Sequence, residues 1–187
     1  MAIEIDQAAL QKIELFNNLT TDDLRGILPA CDEMNAAAGQ AIIEAGHEER
    51  ALYILLEGTA EVDLEPPRAG ERTVAELKPG SVFGESSFFH ASPHSATVKA
   101  RTSVRLLRMN REPFGNLLQS GNLAALRVAA NATSILATRL QAADRFIVEL
   151  LEQIQDEKVR EAVTRFRNSM SHSFSSGVRP SMPAGTT

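Results

Sequence analysis

Hydrophobic and polar positions follow three different rhythms along this chain, and each predicts a different kind of element. In residues 1–31 the spacing is helical. Ala8, Leu10, Ile13 and Phe16 recur loosely on one side, then Asn17 and Asn18 interrupt. Thr20 then opens a second helix as N-cap, facing Asp23 at N3 in a short capping box, with Leu19 and Leu24 in the staple positions. Leu24, Ile27, Leu28 and Cys31 make its apolar face, and Pro29 weakens the last turn. From Asp32 to Met109 the rhythm shortens to that of strands. The β-capable runs are Ala41 to Ala45, Leu52 to Leu56, Thr59 to Leu64, Arg72 to Leu77, Ser95 to Ala100 and Val104 to Leu107, punctuated by glycines. Glu61 to Glu65 alternates as a half-exposed strand should, whereas Leu52-Tyr53-Ile54-Leu55-Leu56 is apolar throughout and is expected to be buried. Many short strands joined by turns predict a sandwich or jelly-roll barrel.

The third rhythm begins after Asn110, which is expected to cap a short helix with Pro113 in its first turn and Phe114, Leu117 and Leu118 packed on the barrel. Beyond Gly121-Asn122, the residues Leu126, Ala129, Thr133, Leu136, Leu140, Ala143, Ile147, Leu150 and Ile154 recur at alternating spacings of three and four, a heptad seam. A helix running on to about Arg167 would be about 70 Å long, more than a small barrel can cover. The seam therefore reads as a dimer interface, with packing on its own domain as the alternative. The charges from Asp156 to Arg167 read as a solvated helix face, and the Ser/Pro/Gly-rich stretch after Asn168 as a disordered tail. The expected division is an N-terminal helical segment (1–31), a β-barrel (32–109), a short helix plus a long dimerisation helix (110–167), and a tail (168–187). The fold class is α+β.

The chain has 187 residues, 43% of them hydrophobic, enough for one domain with an accessory element. A formal net charge of −5 disfavours nucleic acid and anionic membranes as partners of the whole surface. The single cysteine, Cys31, leaves no intramolecular disulfide framework, as befits a reducing compartment. The N-terminus carries acids early without an apolar leader core, and no apolar run is long enough to span a bilayer. A soluble, cytoplasmic protein is expected.

The candidate chemistry lies in Phe83 to Val98, FGESSFFHASPHSATV. Gly84 can take φ > 0 or admit a ligand close to the backbone. Glu85 can accept hydrogen bonds from sugar hydroxyls, while Ser86, Ser87, Ser95 and Thr97 offer hydroxyls to an anion or a diol. His90 and His94 lie four apart across a loop, and His47-Glu48-Glu49 holds one histidine in a turn, a poor spacing for a metal. Ser86-Ser87 lacks the context of a hydrolase elbow. No metal, cofactor or catalytic group is therefore assigned; a metal-dependent barrel enzyme is the minority reading.

This segment resembles the phosphate-binding cassette of the cyclic nucleotide-binding domain family: Phe-Gly-Glu, small residues, a loop, then Pro-Arg-Ala/Ser-Ala-Thr-Val. LYILLEGTAEV and Leu77-Lys78-Pro79-Gly80-Ser81-Val82-Phe83-Gly84-Glu85 are similar to the family's hairpin and its approach to the cassette, and Leu15 to Leu19 to its helical link. The resemblance covers roughly residues 15 to 118. It implies a binding set of Phe83, Gly84, Glu85, Ser86, Ser87, His94, Ser95 and Ala96, with Gly84 and Glu85 at the ribose and Ser95 and Ala96 at the cyclic phosphate. The family's arginine position holds His94. Arginine offers a permanently charged fork, histidine a single donor with partial charge at neutral pH. Losing a bidentate charged contact costs about 1.5–3 kcal/mol, roughly 10- to 100-fold in affinity. Three readings stay open: a weaker, pH-sensitive contact to cAMP or cGMP, with Lys99 and Arg101 as possible sources of charge; a pocket retuned to another nucleotide such as a cyclic dinucleotide; or a degenerate, ligand-free dimerisation module.

The long helix resembles that of catabolite activator protein-like effector domains, which dimerise through it and close it over the base. Arg139-Leu140-Gln141 match it, and Ala143 and Asp144 stand where hydroxyl residues contact adenine; Asp144 joins the candidate site. A DNA-reading domain of the kind those regulators carry does not fit in the remaining chain, so direct DNA contact is not expected. The expectation is a non-catalytic homodimeric sensor or adaptor that couples a nucleotide to its long helix and to an unidentified downstream protein.

Overall fold

The computed structural model describes residues 6–64, 74–153 and 157–176. It divides into two units, Met1–Leu136 and Ala137–Thr187. The first opens with α1 (Gln7–Leu10), where Asp6 caps by accepting from the Ala8 N–H, followed by a 3₁₀ turn at Glu14–Phe16. Helix α2 (Thr21–Ile27) carries the expected capping box in both directions. Asp23 N–H donates to Thr20 Oγ1 at 3.1 Å, and Thr20 N–H donates to Asp23 Oδ2 at 2.9 Å. Pro29 lies in a 3₁₀ turn, Leu28–Ala30, that ends the helix. Cys31 therefore does not join the helix's apolar face as expected; it begins β1 (Cys31–Ala36) as a buried strand residue.

The strands that follow are β2 (Ala41–Ile43), β3 (Ala51–Glu57), β4 (Ala60–Leu64), β5 (Val74–Leu77) and β6 (Val82–Phe83). The set closes with β7 (Ala96–Ala100) and β8 (Val104–Asn110). They form two antiparallel four-stranded sheets, ordered β1-β8-β3-β6 and β2-β7-β4-β5, a jelly-roll sandwich. Strand β3 shows why its sequence does not alternate. Tyr53 and Leu55 belong to the core between the sheets, while Leu52 and Ile54 belong to a second core under the helices. Two strands escape the sequence pattern. Asp32 and Glu33 are exposed inside β1, which is held by its six-residue register with β8, and β6 is too short to show a period. The expected hairpin loop at Pro66 to Gly70 falls outside the described residues.

Helix α3 (Glu85–Phe89) follows β6, and α4 (Arg111–Gln119) follows β8. Asn110 does not cap α4 with its side chain as expected. Its Nδ2 donates instead to Asp32 on the neighbouring strand. Asn122 caps α5 (Leu123–Gln153), accepting from the Ala125 N–H at 3.0 Å. Within the first unit α5 buries Ala125, Val128, Ala132 and Ile135 in the helix-side core. That stripe differs from the heptad series, whose Leu126 and Thr133 are exposed while Ala129 packs half-buried against the same core.

In the second unit Leu140 and Ala143 on α5 are exposed, Leu140 by 54%. Helix α6 spans Glu157–Ser176, so residues 168–176, expected in a disordered tail, are helical. Ile154 and residues 177–187 lie outside the described residues.

Candidate functional site

The cassette starts where β6 runs out beside β3. Phe83 stacks on Tyr53 with ring centroids 5.3 Å apart and planes 11° from parallel, which fixes the approach. Gly84 then takes φ +80° and ψ 1°, and turns the chain into α3. Glycine is required there twice over. The left-handed conformation disfavours a side chain, and a Cβ would lie 2.7 Å from the Ala51 carbonyl oxygen and 3.2 Å from Tyr53 Cδ2. At the far end of α3, Phe88 is fully buried, edge-on to Phe89 at 4.9 Å and tilted against Phe114 of α4 at 5.4 Å. Arg50 Nη2 donates to the Phe88 carbonyl at 3.2 Å, and the Arg111 guanidinium lies 5.8 Å from the Phe88 ring centroid.

Two polar side chains of α3, Glu85 and Ser87, are buried, while Ser86 between them is exposed. Ser87 Oγ lies 3.1 Å from His94 Nδ1, a hydrogen bond that either histidine tautomer can form. His94 is only 7% exposed, and its Nε2 is buried without a hydrogen-bond partner among the described residues. The backbone holds the residue in place: His94 N–H donates to His47 O at 3.0 Å, and Gly46 N–H donates to His94 O at 2.8 Å. Ser95 is exposed and Ala96, half-buried, begins β7. The buried Thr97 hydroxyl accepts from the Ala45 N–H at 3.1 Å, so it serves the β2–β7 edge.

Phe83, Gly84, Glu85, Ser86 and Ser87 therefore form one continuous turn and helix, and the Ser87–His94 bond ties it to the segment His94-Ser95-Ala96. Asp144 lies on α5 in the second unit. Lys99 and Arg101, considered as sources of positive charge, face β4 carboxylates: Lys99 Nζ is 3.6 Å from Asp63, and Arg101 Nε is 3.8 Å from Glu61. His47 lies 3.3 Å from Glu44. Among the described residues no group of three or more His, Cys, Asp or Glu side chains could hold a metal ion, and no helix is long and apolar enough to cross a membrane. Sequence reasoning missed the Ser87–His94 bond and the clamp of Arg50 and Arg111 on Phe88. Partners joined across a loop or between distant strands leave no periodic mark.

Residues 33–121, just under half of the chain, match the family described as cyclic nucleotide-binding domain. The cAMP-dependent protein kinase regulatory subunit of Emericella nidulans is 32% identical over 112 residues, covering 60% of this chain and 26% of that protein. Glutaminase 2 of Bradyrhizobium diazoefficiens is 34% identical over 130 residues, covering 70% of this chain and 20% of that protein. The chain thus spans a fifth to about a quarter of the length of these curated relatives. Among solved structures, a cyclic nucleotide-binding domain from Methylobacillus flagellatus superimposes with a TM-score of 0.66 over 80% of this chain and 83% of that one. At 20% identity this is a likeness of fold.

Proposed function

Residues 33–121 belong to the cyclic nucleotide-binding domain family, and from that premise we propose that the chain is a non-catalytic sensor or adaptor, taking a cyclic mononucleotide, cAMP or cGMP, in the cassette. The observation that carries this reading is His94. Proteins rarely leave a buried polar atom without a partner, and Nε2 is one, held in place by Ser87 and by two backbone hydrogen bonds. An anionic phosphate oxygen would satisfy it, with the Ser95 hydroxyl and Ala96 N–H as further donors and the Glu85 carboxylate accepting from the ribose hydroxyls. Because Nε2 is covered, the ligand enters by displacing the cassette turn. That displacement is passed along Phe88 and Phe114 to α4 and so to the start of α5.

The exposed heptad residues of α5 support a homodimer, and a downstream protein reads its state. A kinase regulatory subunit and a glutaminase both contain a stretch similar to this one. That supports a module shared by proteins of different activity; here it works in the cytoplasm, without membrane or direct DNA contact. One observation favours a second reading, a ligand-free platform: the Ser87 hydroxyl and the His94 ring already bond each other, and Nε2 lies out of solvent.

Calorimetric titration of the full chain with cAMP, cGMP and cyclic dinucleotides, at pH 6 and 7.5, decides between them. The sensor predicts saturable mononucleotide binding, tightened about 10- to 100-fold by His94→Arg. Binding of a cyclic dinucleotide alone means a retuned pocket. Silence from every ligand, for both parent and His94→Arg, leaves the platform.

A further inference from the structure

We propose that a groove between the barrel and α4, separate from the cassette, is the docking site for an acidic peptide segment of a partner protein. It is an open cleft of about 730 Å³ lined by Arg50, Arg108 and Arg111, with Asn116 and Gln119 further along α4. Arg108 is neutralised by Asp32 at 3.3 Å and Glu49 at 3.4 Å. Arg50 and Arg111 have no carboxylate within ion-pair distance among the described residues. Their contacts are to Phe88, through its carbonyl and its ring. Glu112 is the one carboxylate of the lining. In a chain of net charge −5, two guanidiniums without counterions among the described residues, beside one cleft, form a local positive site against the overall field.

Guanidinium forks match carboxylates and phosphates in geometry as well as charge. The rest of the lining selects between peptide and small anion. Asn116 and Gln119 lie along the helix beyond the arginines, and side-chain amides donate and accept as a peptide backbone requires. A compact inorganic anion leaves them unused, whereas an extended peptide with an acidic side chain between Arg50 and Arg111 engages both ends. Because both arginines also touch Phe88 of the cassette helix, an occupant of the groove competes for Arg50 and alters how α3 is held.

The site does not depend on the cassette's ligand, so the test is run without nucleotide. Fluorescence anisotropy of the full chain with a labelled Glu/Gly peptide, and with its Gln/Gly counterpart, reads binding directly. The expected result is saturable, salt-sensitive binding of the Glu peptide alone. Arg50→Glu should abolish it, and Arg111→Gln should weaken it about tenfold. Arg50 is exposed, so its reversal spares the core and decides the matter if the Arg111 variant misfolds. Equal binding of the two peptides, indifference to Arg50→Glu, or binding of inorganic phosphate without the peptide would overturn the proposal.

Discussion

At the scale of single residues, Gly84 and Cys31 show how the fold constrains positions that look unremarkable in a list. Gly84→Ala places a side chain in the left-handed region, which costs about 1–2 kcal/mol, and adds the approach to the Ala51 carbonyl. Urea denaturation should show a loss at least that large, with any nucleotide binding lost as well, since the turn must shift to relieve the contact. A variant as stable as the parent would mean the turn is not pressed on β3. For Cys31, burial first and the charge of Asp32 second push the thiol from its ordinary 9.0 up to about 12. The thiol should therefore resist alkylation at pH 8 in the native protein and react at once in denaturant. The sign of its pH dependence follows. The folded state holds the proton more tightly than the unfolded one, so this contribution is fully present below pH 9.0 and is lost as pH rises from there towards about 12. Rapid native alkylation of this single cysteine would show that β1 opens locally.

At the scale of elements, α5 separates two functions that its sequence superimposes. Ile135, buried in the helix-side core, serves the first unit; Leu140 is exposed in the second. Ile135→Ala should lower stability by about 2–5 kcal/mol, the usual range for emptying a packed site. Leu140→Glu should leave the melting temperature of a dilute sample nearly unchanged while abolishing self-association in sedimentation. If Leu140→Glu sediments like the parent, the heptad series is not an interface. Legibility follows the same division between local and non-local signals. The Thr20–Asp23 capping box could be read because its partners lie three residues apart and bond each other. The apolar run of β3 was legible as buried, although two separate cores were needed to explain it. Strand β1 was not legible, because Asp32 and Glu33 find their partners on β8, far along the chain. In the cassette, Gly84 and Glu85 stood out by pattern. The unpartnered Nε2 of His94 did not, since it depends on which groups fail to meet it.

At the scale of the whole molecule, the proposed sensor stands or falls on whether the cassette and the helical seam share free energy. The path begins with Phe88 of α3 against Phe114 of α4, and continues through the turn at Gly121 and the Asn122 cap into α5. Adjacency alone establishes no coupling; a measurable linkage does. If nucleotide tightens the dimer by some factor, dimerisation must tighten nucleotide binding by the same factor, because the two routes to the liganded dimer close one thermodynamic cycle. Two independent experiments therefore predict each other. Sedimentation equilibrium with and without saturating cAMP gives the shift in the dimer constant. Calorimetry on the parent above its dimer constant and on monomeric Leu140→Glu gives the shift in ligand affinity. A coupling of 1–3 kcal/mol, roughly 5- to 150-fold, should appear with equal magnitude in both. Equal affinities in monomer and dimer, with a dimer constant indifferent to ligand, would reduce the long helix to a tether and leave the cassette with no output through it.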